Sequence, residues 1–92
     1  MVEIFGARGT LSGTVTDVEG NPIVGAEISF EHNGAVVDTT QTDNNGSYSV
    51  LLDAQNYSVK ISADDYVSYV AVAEVFEEET AILNATLVKA GN

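Results

Sequence analysis

Apolar and polar residues alternate through most of this chain, and turn-forming residues interrupt the alternation at short intervals. From Thr10 the period is two. Leu11, Gly13 and Val15 fall on one face and Thr10, Ser12, Thr14 and Thr16 on the other, which predicts a half-buried strand. Gly20-Asn21-Pro22 follows with turn chemistry. Ala26, Ile28 and Phe30 then alternate with Glu27, Ser29 and Glu31 in a second strand. Asn33-Gly34 predicts a tight hairpin, because both residues tolerate positive φ. A third strand runs from Ala35 to about Thr42, and its polar half, Asp38 to Thr42, marks an edge or solvent-facing course.

The second half of the chain repeats the pattern. Asp43 to Gly46 is a turn, and Tyr48, Val50 and Leu52 form a fourth strand. After a turn at Asp53 to Asn56, a fifth strand points Tyr57, Val59, Ile61 and Ala63 inward and Ser58, Lys60 and Ser62 outward. Asp64-Asp65 breaks it, and Val67 to Phe76 reads as a sixth, apolar on both faces in places. Glu77-Glu78-Glu79 is a solvated turn before a seventh strand, Thr80 to Val88, with Leu83, Ala85 and Leu87 on one side. Residues 1–9 read as an edge strand or a linker carrying Val2, Ile4 and Phe5, and Lys89 to Asn92 as a tail. Seven short strands with no helical period predict an all-β sandwich. A single proline, placed in a turn, agrees with that. Outward Glu27, Glu31 and Asp38 are expected to protect sheet edges.

Charge narrows the partners. Fourteen Asp+Glu against three Lys+Arg give a net charge of −11. Nucleic acid and anionic membrane surfaces are disfavoured, because both need a basic face. The balance suits a soluble monomer in an extracellular or high-salt setting, where cations screen the carboxylates. Cysteine is absent, so disulfides and thiolate metal sites are excluded. No apolar run approaches the roughly 18 residues of a membrane span. The N-terminus has neither the basic start nor the apolar stretch of a signal peptide, so the chain reads as a domain of a longer protein. At 92 residues it makes one domain with a modest core.

Gly13-Thr14-Val15-Thr16-Asp17, Gly20-Asn21-Pro22 and Gly25-Ala26-Glu27-Ile28 resemble the start of a carboxypeptidase regulatory-like domain. Thr42 to Tyr48 resembles that family's second signature, a turn leading to an aromatic residue. Asn56 to Ser62 with Asp65-Tyr66 resembles its third, and Leu83 to Leu87 its final strand. The chain departs from the family where Asp65 replaces a frequent glycine and Gln55-Asn56 a frequent Pro-Gly. The resemblance spans about residues 10–88. It implies a seven-stranded antiparallel Greek-key sandwich of transthyretin-like (prealbumin-like) type. It also implies a non-catalytic module appended to enzymes, surface proteins or transporters, with no active site of its own. Its partners would be neighbouring domains of the same polypeptide, or a protein or glycan, at the cell surface or envelope.

Candidate chemistry is sparse. His32, the single histidine, stands beside the Asn33-Gly34 turn with no evident nucleophile or orienting carboxylate, and reads as a solvated hairpin residue. No catalytic residue and no cofactor is assigned. Calcium is the metal these oxygen donors would suit, with Asp17, Glu19 and Asn21, and Asp43 and Asn45, spaced by two. Neither run has the twelve-residue calcium-loop pattern, and Asx residues at turns are expected in any case. Tyr48 and Tyr57 alternate inward, whereas Tyr66 and Tyr69 are candidates for an exposed, glycan-stacking pair. Sandwiches of related surface adhesins form a Lys–Asn isopeptide bond. Here Lys60 points outward between Val59 and Ile61 and Lys89 lies in the tail, which disfavours one. Asn45, Asn56 and Asn84 each head a glycosylation sequon. Sequence alone thus supports a spacer or interaction module, with a glycan- or calcium-binding accessory, or a peptidase's companion domain, as alternatives.

Overall fold

The structure, a computed structural model, describes residues 7–90. Its strands are β1 (Arg8–Asp17), β2 (Glu27–His32), β3 (Ala35–Gln41), β4 (Ser47–Asp53), β5 (Asn56–Ser62), β6 (Tyr69–Glu74), β7 (Thr80–Ile82) and β8 (Ala85–Leu87). There is no helix among the described residues. They form two facing sheets. One runs β4-β1-β7, with β8 also paired to β1; the other runs β3-β2-β5-β6.

Period two explains the core directly. Leu11 and Val15 of β1, Ile28 and Phe30 of β2, and Val59 and Ile61 of β5 are fully buried. Tyr48 and Leu52 of β4, Tyr57 of β5, and Ala85 and Leu87 of β8 complete the interface between the sheets. Phe30 and Tyr57 meet edge to face with ring centroids 6.4 Å apart. Each large apolar side chain buried here contributes about 1.5–3 kcal/mol. The β2–β3 connection is the expected hairpin, with Asn33 at φ 55° and Gly34 at φ 83°.

The final course differs from its expected form. It is two strands, β7 and β8, and both pair with β1 in parallel. Between them the chain lifts over Gly13, where any Cβ would overlap the Leu83 carbonyl oxygen. That carbonyl accepts the Tyr48 hydroxyl (2.6 Å). The gap in the ladder is filled by Asn84, whose Oδ1 accepts the Thr14 N–H (2.9 Å) and the Thr14 hydroxyl (3.1 Å). Backbone bonding resumes on either side, with Leu83 N–H donating to Ser12 O (2.8 Å) and Val15–Asp17 paired with Ala85–Leu87.

Other boundaries also move. β6 begins at Tyr69 rather than Val67, because the preceding segment is taken by the chain's end: Val67 N–H donates to Val88 O (2.8 Å) and Tyr66 bridges Lys89. Asp65 has φ 72°, the conformation that makes glycine frequent at that position. Glu27 and Glu31 guard no edge, since β2 lies between β3 and β5. Asp38 does lie on edge strand β3, but it pairs with buried Phe30 and so shares the inner face at its uncovered rim. A bulge at Phe30/Glu31 further disrupts that edge. Arg8 and Gly9 extend β1 two residues beyond its expected start, whereas Val2, Ile4 and Phe5 lie outside the described residues.

Gly13→Ala would force apart the two backbones at this crossing. It is expected to cost about 1–3 kcal/mol, read as a lower urea midpoint at unchanged slope. An unchanged midpoint would mean that the close approach is not required.

Candidate functional site

The end of the sandwich where β1 terminates holds most of the candidate residues. Asp17 folds back on its own turn: its Oδ1 accepts the N–H groups of Glu19 (2.9 Å) and Asn21 (2.9 Å). Asp43 does the same with Asn45 (2.9 Å) and Ser47 (2.9 Å). The two turns are neighbours, because Val15 N–H donates to Gly46 O (2.8 Å) while Thr16 bridges Pro22. The Asn21 N–H, followed by that of Glu19, holds the Asp17 carboxyl below the usual carboxylate range. The Ser47 and Asn45 N–H groups do the same for Asp43. These carboxylates therefore close Asx turns. Among the described residues no group of three or more His, Asp or Glu is placed to hold a metal ion.

Tyr66 is half-buried against the core. It borders a cleft of about 370 Å³ with Glu27, Gln41, Ser62 and Asp64. On its other side is a hollow of about 130 Å³ shared with Asp17, Glu19, Leu87 and Lys89. The structure thus brings Tyr66 beside Asp17 and Glu19. It does not make an exposed pair of Tyr66 and Tyr69. Tyr69 pairs with Ile61, a fully buried residue, and that register turns it onto the core.

The remaining tyrosines are structural. Burial, reinforced by nearby Tyr69, pushes the Tyr48 hydroxyl up to about 12. Burial likewise raises Tyr57, whose hydroxyl donates to Asp53 O (2.6 Å) and accepts from Gln55 Nε2 (3.2 Å). His32 Nδ1 donates to the Asn56 carbonyl (2.8 Å), tying β2 to the start of β5 rather than facing a nucleophile. Lys60 is exposed, as its outward position requires. Of the sequon asparagines, Asn45 and Asn56 are exposed at a turn and a strand start, while Asn84 is engaged with Thr14. One polar residue escaped the sequence reading: Thr42, buried, accepts Ala26 N–H (2.9 Å) and donates to Ile23 O (2.6 Å). Its position next to the Asp43 turn offered no signal of that double bond.

Two stacked sheets with short loops and no helix among the described residues define a transthyretin-like β-sandwich module. The chain belongs to the carboxypeptidase regulatory-like domain family, whose sequence profile matches residues 10–88. It is similar to Structural protein 27 of a virus (isolate Australia/Victoria), with 40% identity over 62 residues. That match covers 67% of this chain and only 11% of the viral protein. In fold it is similar to the minor pilin of Streptococcus agalactiae, with TM-score 0.78 and 16% identity over 97% of this chain and 48% of the pilin. It is also similar to hydroxyquinol 1,2-dioxygenase of Pseudomonas putida, with TM-score 0.76 and 12% identity over 94% of this chain and 58% of the enzyme. Both structural likenesses carry the fold and not the activity.

Two pH limits follow. Folding lowers the pKa of Asp17 and Asp43, so their contribution is present above the ordinary value of 3.8 and lost as pH falls through the lowered values. Thermal melts of Asp17→Asn/Asp43→Asn should show a shallower acid decline than the parent chain; an identical decline would contradict this. Folding raises the Tyr48 pKa, so its contribution is full below pH 10 and lost as pH rises toward 12. Tyr48→Phe should flatten that alkaline limb and cost about 1–2 kcal/mol at neutral pH through the bond to Leu83. An unchanged limb in denaturant titrations would refute the assignment.

Proposed function

We propose that this chain is a non-catalytic module that spaces or joins neighbouring domains of a larger extracellular or envelope-borne protein. The observation that carries the reading is the parallel pairing of β1 with β8. It makes the chain enter at Arg8 and leave beyond Leu87 at opposite ends of the sandwich, as a link in a series of domains must. The length of the viral relative, a protein named as structural, supports placement within a longer polypeptide. A net charge of −11 supports a soluble monomer in isolation, because copies repel one another. A second reading, an accessory domain for a glycan or calcium, draws on the polar cleft that joins Tyr66 to Glu27, Gln41 and Asp64.

Amide NMR spectra of the chain, with millimolar calcium chloride and separately with soluble oligosaccharides, separate the two. The spacer reading expects no saturable shift at Asp17, Glu19 or Tyr66, and no turnover of peptide, ester or glycoside substrates. Saturable shifts at Tyr66 would establish the accessory reading instead. Turnover abolished by His32→Ala would overturn both.

A further inference from the structure

We propose that the ladder joining β1 to β7 and β8 is a mechanical clamp, so that the module resists tension applied through its two ends. Strand direction is the first reason. Among the described residues β1 is the first strand and β8 the last, and they are parallel neighbours in one sheet. A load on the N-terminal side pulls β1 from its Arg8 end. A load on the C-terminal side pulls β8 from its Leu87 end. The strands are therefore asked to slide past each other along their own axes. Hydrogen bonds of a ladder run across the strands, so this motion strains all of them together. In a ladder pulled from one end, the bonds break in succession.

The ladder is built along the length of β1. Thr10, Leu11 and Ser12 pair with Thr80, Ala81 and Ile82. Val15, Thr16 and Asp17 pair with Ala85, Thr86 and Leu87. A break at Leu83-Asn84 would leave two short ladders, each of which could fail alone. Asn84 closes the break, because its Oδ1 takes both the N–H and the hydroxyl of Thr14. Leu83 is held from both sides, by its N–H to Ser12 O (2.8 Å) and by its carbonyl to the Tyr48 hydroxyl (2.6 Å). The latter bond ties the last course to β4 across β1.

Both ends of the ladder are anchored. At the entry, Glu78 N–H donates to Arg8 O (2.7 Å) and Thr10 N–H to Glu79 O (2.8 Å). At the exit, Ala90 N–H donates to Asp65 O (2.8 Å) and Val67 N–H to Val88 O (2.8 Å), joining the departing chain to the opposite sheet's connection. The anchoring also shields the first and last pairs from being peeled by sideways motion. By contrast, β1 and β4 are antiparallel, with Arg8 opposite Asp53 at one end, so a load on that pair opens it bond by bond. The clamp deepens the spacer reading, on which its biological use rests, but its mechanics belong to the module alone.

Single-molecule pulling on the full chain tests it in two geometries. In one, handles are attached at the two termini. In the other, one handle is N-terminal and the second sits on the thiol of Asp53→Cys, unique because the chain has no cysteine. The terminal geometry should require a several-fold higher unfolding force at the same loading rate. Equal forces, or a lower force between the termini, would overturn the proposal. Asn84→Ala should lower the terminal force while leaving the Asp53 geometry nearly unchanged. Ile61→Val, a core change away from the ladder, serves as the control for lost stability. If Ile61→Val lowers the terminal force as much as Asn84→Ala does, the ladder is not the clamp. Should Asn84→Ala fail to fold, the comparison of geometries in the otherwise unaltered chain still decides. A low terminal force would leave the non-catalytic reading standing, whereas substrate turnover would remove that reading without touching the mechanics.

Discussion

The close crossing of the last course over Gly13 organises this molecule. With a side chain at that position the Leu83 carbonyl would have no room, and the last course would stand away from β1. Because it does not, β1 gains a neighbour on each side, β4 and β7/β8, and becomes the central strand of its sheet. Leu11 and Val15 are then covered completely. Tyr48 can bury its ring and still satisfy its hydroxyl, since the displaced Leu83 carbonyl is its acceptor. One glycine, one asparagine and one tyrosine thus share a single geometric solution, which holds β7 and β8 against β1.

The acidic surface and the small core act on different scales. The net charge sets solubility and repulsion between molecules, not the fold. Asp17 and Asp43 are nonetheless used locally, since they replace missing backbone partners at adjacent turns. The surface ion pair Arg8–Asp53 (3.2 Å) is exposed on both sides and adds at most about 1 kcal/mol. Stability therefore rests on the interface between the sheets and on buried polar groups that are individually satisfied. Thr42 and Tyr57 are examples: each reaches a backbone carbonyl at 2.6 Å.

Much of the fold was legible because alternation and turn chemistry are local signals. Leu11, Phe30, Tyr57 and Ile61 declare their inward direction by period alone, and Asn33-Gly34 declares its hairpin. Strand order and direction are not local. Nothing in Thr80 to Val88 says that it pairs in parallel with β1, or that Asn84 stands in for a backbone carbonyl. The edge role expected for Glu27 and Glu31 failed for the same reason, as period two fixes a face but not a neighbour. At the candidate site the turns were legible, including the Asx character of Asp17 and Asp43. The inward turn of Tyr69 was not, since it depends on pairing with Ile61. The meeting of Tyr66 with Lys89 depends on the distant end of the chain.

Native-state hydrogen exchange at the Thr14 amide tests the central claim most directly. That N–H has a side-chain acceptor, Asn84 Oδ1, in the middle of a strand. If the crossing is a fixed part of the fold, Thr14 exchanges as slowly as the Val15 amide, through global unfolding. Fast exchange at Thr14 beside a protected Val15 would show that the crossing opens on its own, and would contradict the account.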